Sequence, residues 1–176
     1  MQNPYLPERL WAQLEGRLWH ATDLAGLEGI VRDGCIRVST AARYKNSFCR
    51  QRGCVSMFEF GPGSRDQSEF EASNWAGWFG NQLEGLSVIW IEIDRSQVAG
   101  QLTPPNRVSE LWNLGDVSQR FFTGVEACHA GPVPLDAAKG ALFVDKAKLS
   151  RHRYVSAPIG TGISDAVLNF DAEQRT

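Results

Sequence analysis

The side chains best suited to chemistry stand far apart in the 176-residue chain. His20 and Thr22 lie where a short alternating run, Arg17-Leu18-Trp19-His20-Ala21, gives way to Thr22-Asp23, two good helix-capping residues. A histidine at a strand end and a threonine at a helix start bring a ring nitrogen, a hydroxyl and helix N-terminal amides to one spot, which suits a ribose or a pyrophosphate. On spacing alone the plainer reading, a satisfied histidine and a simple cap, takes precedence. Glu126 is a lone acid in the otherwise apolar run Val125-Glu126-Ala127-Cys128-His129. There it is either an edge-strand carboxylate facing water or a group placed to stabilise positive charge and to orient or deprotonate an attacking atom. His129, three residues on, should face the other side of that strand.

Positioning these groups requires a strand before His20, a helix after it and a strand under Glu126. Pro7 to Leu14 has helical spacing, and residues 17–21 read as a strand. Leu24, Leu27, Ile30 and Val31 predict a helix over 23–33, stopped by Gly34. Ile36 to Ser39 can be extended, Thr40 to Arg52 reads as a polar surface loop, and Gly53 to Phe60 as a strand. Ser73 to Gly80 is a short aromatic turn of helix whose Trp75, Trp78 and Phe79 suit core packing, and Asp66, Glu69 and Glu71 suit a solvated loop. Ser87 to Ile93, nearly continuous in β-branched residues, fits a central, doubly covered strand. Residues 100–120 read as loop with one helical turn near Ser109 to Leu114. Strands follow at 125–129 and 141–144, and residues 155–176 are expected to form a loosely held tail. Strands outnumber long helices, so the expected class is α+β with a mostly antiparallel or mixed sheet, in a single domain over 1–176. Neither GxGxxG nor GxxxxGK[ST] occurs.

Charge is nearly balanced, 18 basic against 20 acidic residues, so no whole-molecule field draws the chain onto nucleic acid or an anionic membrane. No apolar stretch approaches the roughly 20 residues of a membrane span. The opening MQNPYLPERLW lacks the layout of a secretory signal, so cytoplasm is the expected location. Cys35, Cys49, Cys54 and Cys128 show no CxxC and no zinc spacing, so no metal is expected. They are expected to be reduced and mostly buried. Cys49 and Cys54 could pair across a tight turn, but an intracellular location argues against that.

The stretch Leu18-Trp19-His20-Ala21-Thr22-Asp23-Leu24-Ala25-Gly26-Leu27-Glu28-Gly29-Ile30-Val31-Arg32-Asp33-Gly34-Cys35-Ile36 resembles the opening of the DarT-like branch of ADP-ribosyltransferases. There an aromatic-His-x-Thr strand end runs into a helix of the form x-x-Leu-x-x-Ile-x-x-x-Gly. The resemblance extends through Arg50-Gln51-Arg52-Gly53-Cys54-Val55-Ser56-Met57-Phe58-Glu59-Phe60-Gly61-Pro62, similar to an arginine-bearing loop entering a strand beside the nicotinamide. It ends at Gly124-Val125-Glu126 with Val133-Pro134-Leu135, similar to the branch's catalytic-glutamate strand and following turn. The three islands lie within residues 17 to 145, and the first is the most specific.

The resemblance implies a split-sheet fold and NAD as substrate. It makes Glu126 the catalytic carboxylate beside an oxocarbenium-like ribose and puts Arg50 or Arg52 at the pyrophosphate, where a guanidinium can hold two oxygens at once. It gives His20, Thr22, Tyr44 and Ser56 to the rest of the NAD pocket. It also implies mono-ADP-ribosyl transfer to a nucleic-acid base, a protein side chain or a small molecule, as by a toxin of a toxin–antitoxin or anti-phage system, with an antitoxin as partner. Position 124 is Gly where arginine- and asparagine-modifying toxins carry Gln or Glu, which counts against those acceptors. Other readings on the same fold are an NAD glycohydrolase, an RNA 2'-phosphotransferase-like enzyme and a catalytically inactive binding or immunity module. Arg43, Lys45, Arg50 and Arg52 with Tyr44 and Phe48 interleaved suit single-stranded nucleic acid, the pyrophosphate of NAD itself or simply a solvated basic loop.

Overall fold

The computed structural model describes residues 8–41, 45–61, 83–115, 119–156 and 159–173. Its first elements follow the hydrophobic periodicity closely: α1 (Glu8–Leu14), β1 (Leu18–Thr22) and α2 (Leu24–Asp33). The short β2 (Cys35–Ile36) follows, then α3 (Phe48–Gln51), β3 (Cys54–Glu59) and β4 (Ser87–Ile93). Asp94 caps α4 (Arg95–Val98), after which come β5 (Leu102–Thr103) and α5 (Pro105–Asn113). The chain continues through β6 (Glu126–Ala130), β7 (Val133–Pro134), β8 (Ala138–Asp145), β9 (His152–Val155) and α6 (Thr161–Ala172).

Seven strands form one sheet in the order β5-β6-β3-β1-β4-β8-β9, every neighbouring pair antiparallel, and β2 and β7 form a small second sheet. This is the expected α+β class with a mostly antiparallel sheet. Every residue of β4 is buried, as its β-branched run required, because it lies between β1 and β8 with apolar side chains packed on both faces. Leu27 and Ile30 of α2 with Ile163, Val167 and Phe170 of α6 cover one face, and Leu10, Trp11 and Leu14 of α1 cover the other. The buried Trp19 satisfies its indole N–H on the Leu14 carbonyl at 2.9 Å, fixing the angle at which α1 meets β1. No helix among the described residues is long and apolar enough to cross a membrane.

One detail of the pairing positions the site. β1 pairs with β3 only at Leu18↔Glu59 and Trp19↔Phe58. Beyond Trp19, residues His20 to Thr22 pair with β4 alone, while Cys54 to Met57 pair with β6 alone. The two halves of the sheet part there, leaving an opening next to His20.

Two expectations are corrected. The segment Thr40 to Arg52 is not wholly surface loop, because α3 turns Phe48 and Cys49 inward to pack with Val108 and Cys128. The tail after residue 155 is not loosely held either. Ile163, Val167 and Phe170 recur at helical spacing, which the Ser, Asp and Asn between them disguise, and Phe170 meets Phe143 at 5.9 Å between ring centroids. Arg153 pairs with Glu173 at 2.7 Å just beyond the helix. Ile163→Val is therefore expected to lower unfolding free energy by about 1 kcal/mol in a urea titration. No change would mean that α6 contributes nothing to the core.

Candidate functional site

A cleft of about 1340 Å³ opens at the parting of β1 and β3, and His20, Thr22, Arg50, Ser56 and Glu126 are among its lining residues. Small-molecule sites usually enclose roughly 300–1,000 Å³, so this one has room for an extended ligand. Strand alternation, continued across the Trp19↔Phe58 pair, would place His20 on one face and Glu126, opposite Phe58, on the other. The parting of the strands lets both line the same space.

Ser56 links them. Glu126 is 3% exposed, and Ser56 lies two rungs from it across the β3–β6 register, where Phe58 opposes Glu126 and Ser56 opposes Cys128. The Ser56 hydroxyl donates to Glu126 Oε1 at 2.8 Å, and the Phe122 amide donates to Oε2 at 2.8 Å. The Ser56 carbonyl meanwhile accepts from His20 Nδ1 at 3.0 Å. A carbonyl can only accept, so Nδ1 carries the ring proton. Burial holds the His20 pKa below the usual histidine range, outweighing the Ser56 hydrogen bond that raises it. The ring is then neutral near pH 7, and Nε2 is left as an acceptor. Burial also pushes the Glu126 carboxyl up to about 7, against the pull of the Phe122 and Ser56 donors that favour its ionised form. The cleft thus holds a carboxyl raised to about 7 beside a neutral histidine.

The turn before β6 supplies one of the two Glu126 donors. The Glu126 amide bonds the Phe122 carbonyl at 2.9 Å, closing a turn in which Gly124 has φ 77°. A Gln or Glu at 124 would be strained in that left-handed backbone, so the glycine belongs to the geometry that aims the Phe122 N–H at the carboxylate.

Thr22 is buried and lines the cleft, but it is not the helix cap. Asp23 caps α2, accepting from the Gly26 amide at 2.9 Å and holding the Glu84 amide at 3.0 Å with its other oxygen. Thr22 instead packs against Gly26, where an added Cβ would stand 2.1 Å from its hydroxyl oxygen.

The two arginine candidates separate. Arg50 lines the cleft, its guanidinium donating to the carbonyls of Thr40, at 3.1 Å, and Ala41. Arg52, assigned to the NAD pocket with it, is exposed and lies over the Phe48 ring at 4.5 Å, because the end of α3 turns it away. Phe48 is 1% exposed, so it offers no face to a nucleic-acid base, which corrects the basic–aromatic reading of this segment at that residue. Tyr44 and Arg43 lie outside the described residues, as do Asp66, Glu69, Glu71, Trp75, Trp78 and Phe79. His129 is 1% exposed and bonds the Gly131 carbonyl at 3.0 Å, away from the site.

Two contributors to the site carry no signal in the sequence. Ser47 lines the cleft with its hydroxyl 3.5 Å from that of Ser56, and Phe122 acts through a main-chain donor that no side-chain motif records. Nearby, a disulfide joins Cys49 and Cys128, 79 residues apart, in place of the reduced thiols expected; Cys54, the other partner considered for Cys49, is free. Closing a loop of that length is worth about 4.5 kcal/mol in the chain-entropy account. No group of His, Cys, Asp and Glu among the described residues is arranged to hold a metal ion.

No protein-family model matches the chain, and no curated protein matches it at a significant level.

Proposed function

We propose that this chain is an NAD-dependent mono-ADP-ribosyltransferase acting from the cleft between β1 and β3. The observation that carries the reading is the Ser56-bridged couple: neutral His20 on its carbonyl, and Glu126, raised to about 7, on its hydroxyl. The residues suit NAD. His20 Nε2 can accept from a ribose hydroxyl, and Arg50 spends two donors on Thr40 and Ala41 and keeps others for phosphate oxygens. In transfer, the bond from ribose C1' to the nicotinamide nitrogen breaks, and its electron pair leaves with nicotinamide. The ionised Glu126 stabilises the positive charge left on the ribose, and it takes the proton of the acceptor atom that attacks C1'. Gly124 presents no acid or amide to a guanidinium or amide acceptor, which favours a nucleic-acid base or a small molecule over an arginine or asparagine side chain. A toxin held in check by an antitoxin is the role that this reading and the resemblance support together.

Titration calorimetry with NAD tests the binding half. One site per chain is expected, and His20→Ala should raise Kd about tenfold through the lost hydrogen bond, with the fold unchanged by circular dichroism. An unaltered Kd in that variant would remove His20 from the site.

A further inference from the structure

Cys49 and Cys128 join α3 to β6, with their Cα atoms 5.5 Å apart. Cys128 stands two residues along β6 from Glu126 and directly opposite Ser56 in the register. Cys49 is flanked by Arg50 and, two residues earlier, by Ser47, both of which line the cleft. Through Arg50 the same short helix also holds the carbonyls of Thr40 and Ala41. A single helical turn does not hold its shape alone. Besides the cross-link, α3 is held by the packing of Phe48 against Val108 and Phe121 and by backbone bonds, Phe48 to Arg120 at 2.9 Å and Arg120 to Asn46 at 2.8 Å, that lead to another irregular segment.

We propose that the Cys49–Cys128 disulfide is a positioning element of the site: it holds the wall bearing Ser47 and Arg50 against the strand bearing Glu126, so that the oxidised protein binds NAD and the reduced one binds it poorly. The proposal rests on the transferase reading for its ligand. Both sulfurs are buried, so reduction proceeds when α3 opens. A dithiol such as dithiothreitol then supplies two electrons and two protons, the S–S bond becomes two thiols, and the reagent closes to its cyclic disulfide. Once the cross-link is gone, α3 keeps the Phe48 packing and the bonds to Arg120, and Arg50 leaves the cleft more readily together with Thr40 and Ala41.

Thiol counting by intact mass comes first. Protein denatured without reductant should take up two alkyl groups, at Cys35 and Cys54, and four after dithiothreitol. Hydrogen exchange then reads the wall without any ligand: residues 45–52 should lose protection on reduction while β1, β4 and β8 keep theirs. In calorimetry, reduction should raise the Kd for NAD about tenfold. Cys49→Ala/Cys128→Ala should copy the reduced protein. Arg50→Ala in the oxidised protein should show a similar rise, with little further loss on reduction, because both changes remove the same contact. Four free thiols before reduction, unchanged exchange at 45–52, or full additivity in the Arg50→Ala background would overturn the proposal, since a mere staple lowers Tm without touching Kd. If the thiol count and exchange come out as expected but the oxidised protein binds no NAD, the clamp is upheld and the transferase reading fails.

Discussion

Replacing Glu126 by glutamine is expected to slow nicotinamide release by on the order of a hundredfold or more, while NAD still binds. The amide has the size of the carboxylate but neither its charge nor its basicity. It also fits the existing contacts. Its oxygen can accept from the Phe122 amide, its nitrogen can donate to Ser56 Oγ, and the Ser56 hydroxyl can turn toward Ser47. The same variant should gain stability at pH 8. Burial raises the Glu126 carboxyl from 4.5 to about 7, so the native state binds the proton more tightly than the unfolded chain. The stability tied to that proton is fully present below about pH 4.5, declines as pH rises, and is lost above about 7. Glutamine removes the titration, and chemical denaturation at pH 8 should show a gain on the order of 3 kcal/mol that shrinks toward pH 4.5. A variant that is both slower and more stable is what a buried catalytic carboxylate requires. An undiminished rate of nicotinamide release would rule Glu126 out as the catalytic group.

The wild-type pH profile should carry the same signature. With Glu126 active as the carboxylate, kcat/KM for nicotinamide release rises with pH up to a plateau above about 7 and falls about tenfold per unit below it, reaching about a hundredfold loss at pH 5. His20 does not counter this, because its lowered pKa keeps Nε2 unprotonated through neutral pH. Stronger acid would protonate the ring, remove its acceptor and deepen the fall. An exposed glutamate would instead leave the rate flat to near its ordinary pKa of 4.5. A profile flat between pH 5 and 8 would exclude the buried carboxylate as the base.

Much of the scaffold was legible because it depends on local periodicity. The run from Val88 to Ile93 reads as a covered strand and is one, and the Leu24, Leu27, Ile30 repeat gives α2 to within a residue. Glu126 stands out as a lone acid in an apolar run, and it is buried rather than facing water. What escaped depends on register and on chain partners distant in sequence. Ser56 reaches Glu126 because β3 and β6 pair with Phe58 opposite Glu126, and no local pattern sets that alignment. The choice between Arg50 and Arg52 follows from α3, which turns Phe48 and Cys49 inward and leaves Arg52 over the Phe48 ring. That helix was itself hidden among polar and basic residues. Position 124 carries no acid or amide, and its glycine serves the turn that aims the Phe122 amide.

The most direct test of the account is a crystal structure of Glu126→Gln soaked with NAD. The account predicts the nicotinamide-side ribose in the opening between β1 and β3, with a hydroxyl within hydrogen-bond distance of His20 Nε2, residue 126 facing C1', and the pyrophosphate within reach of Arg50. NAD seated elsewhere on the chain, or bound in the cleft without touching either His20 or residue 126, would contradict it.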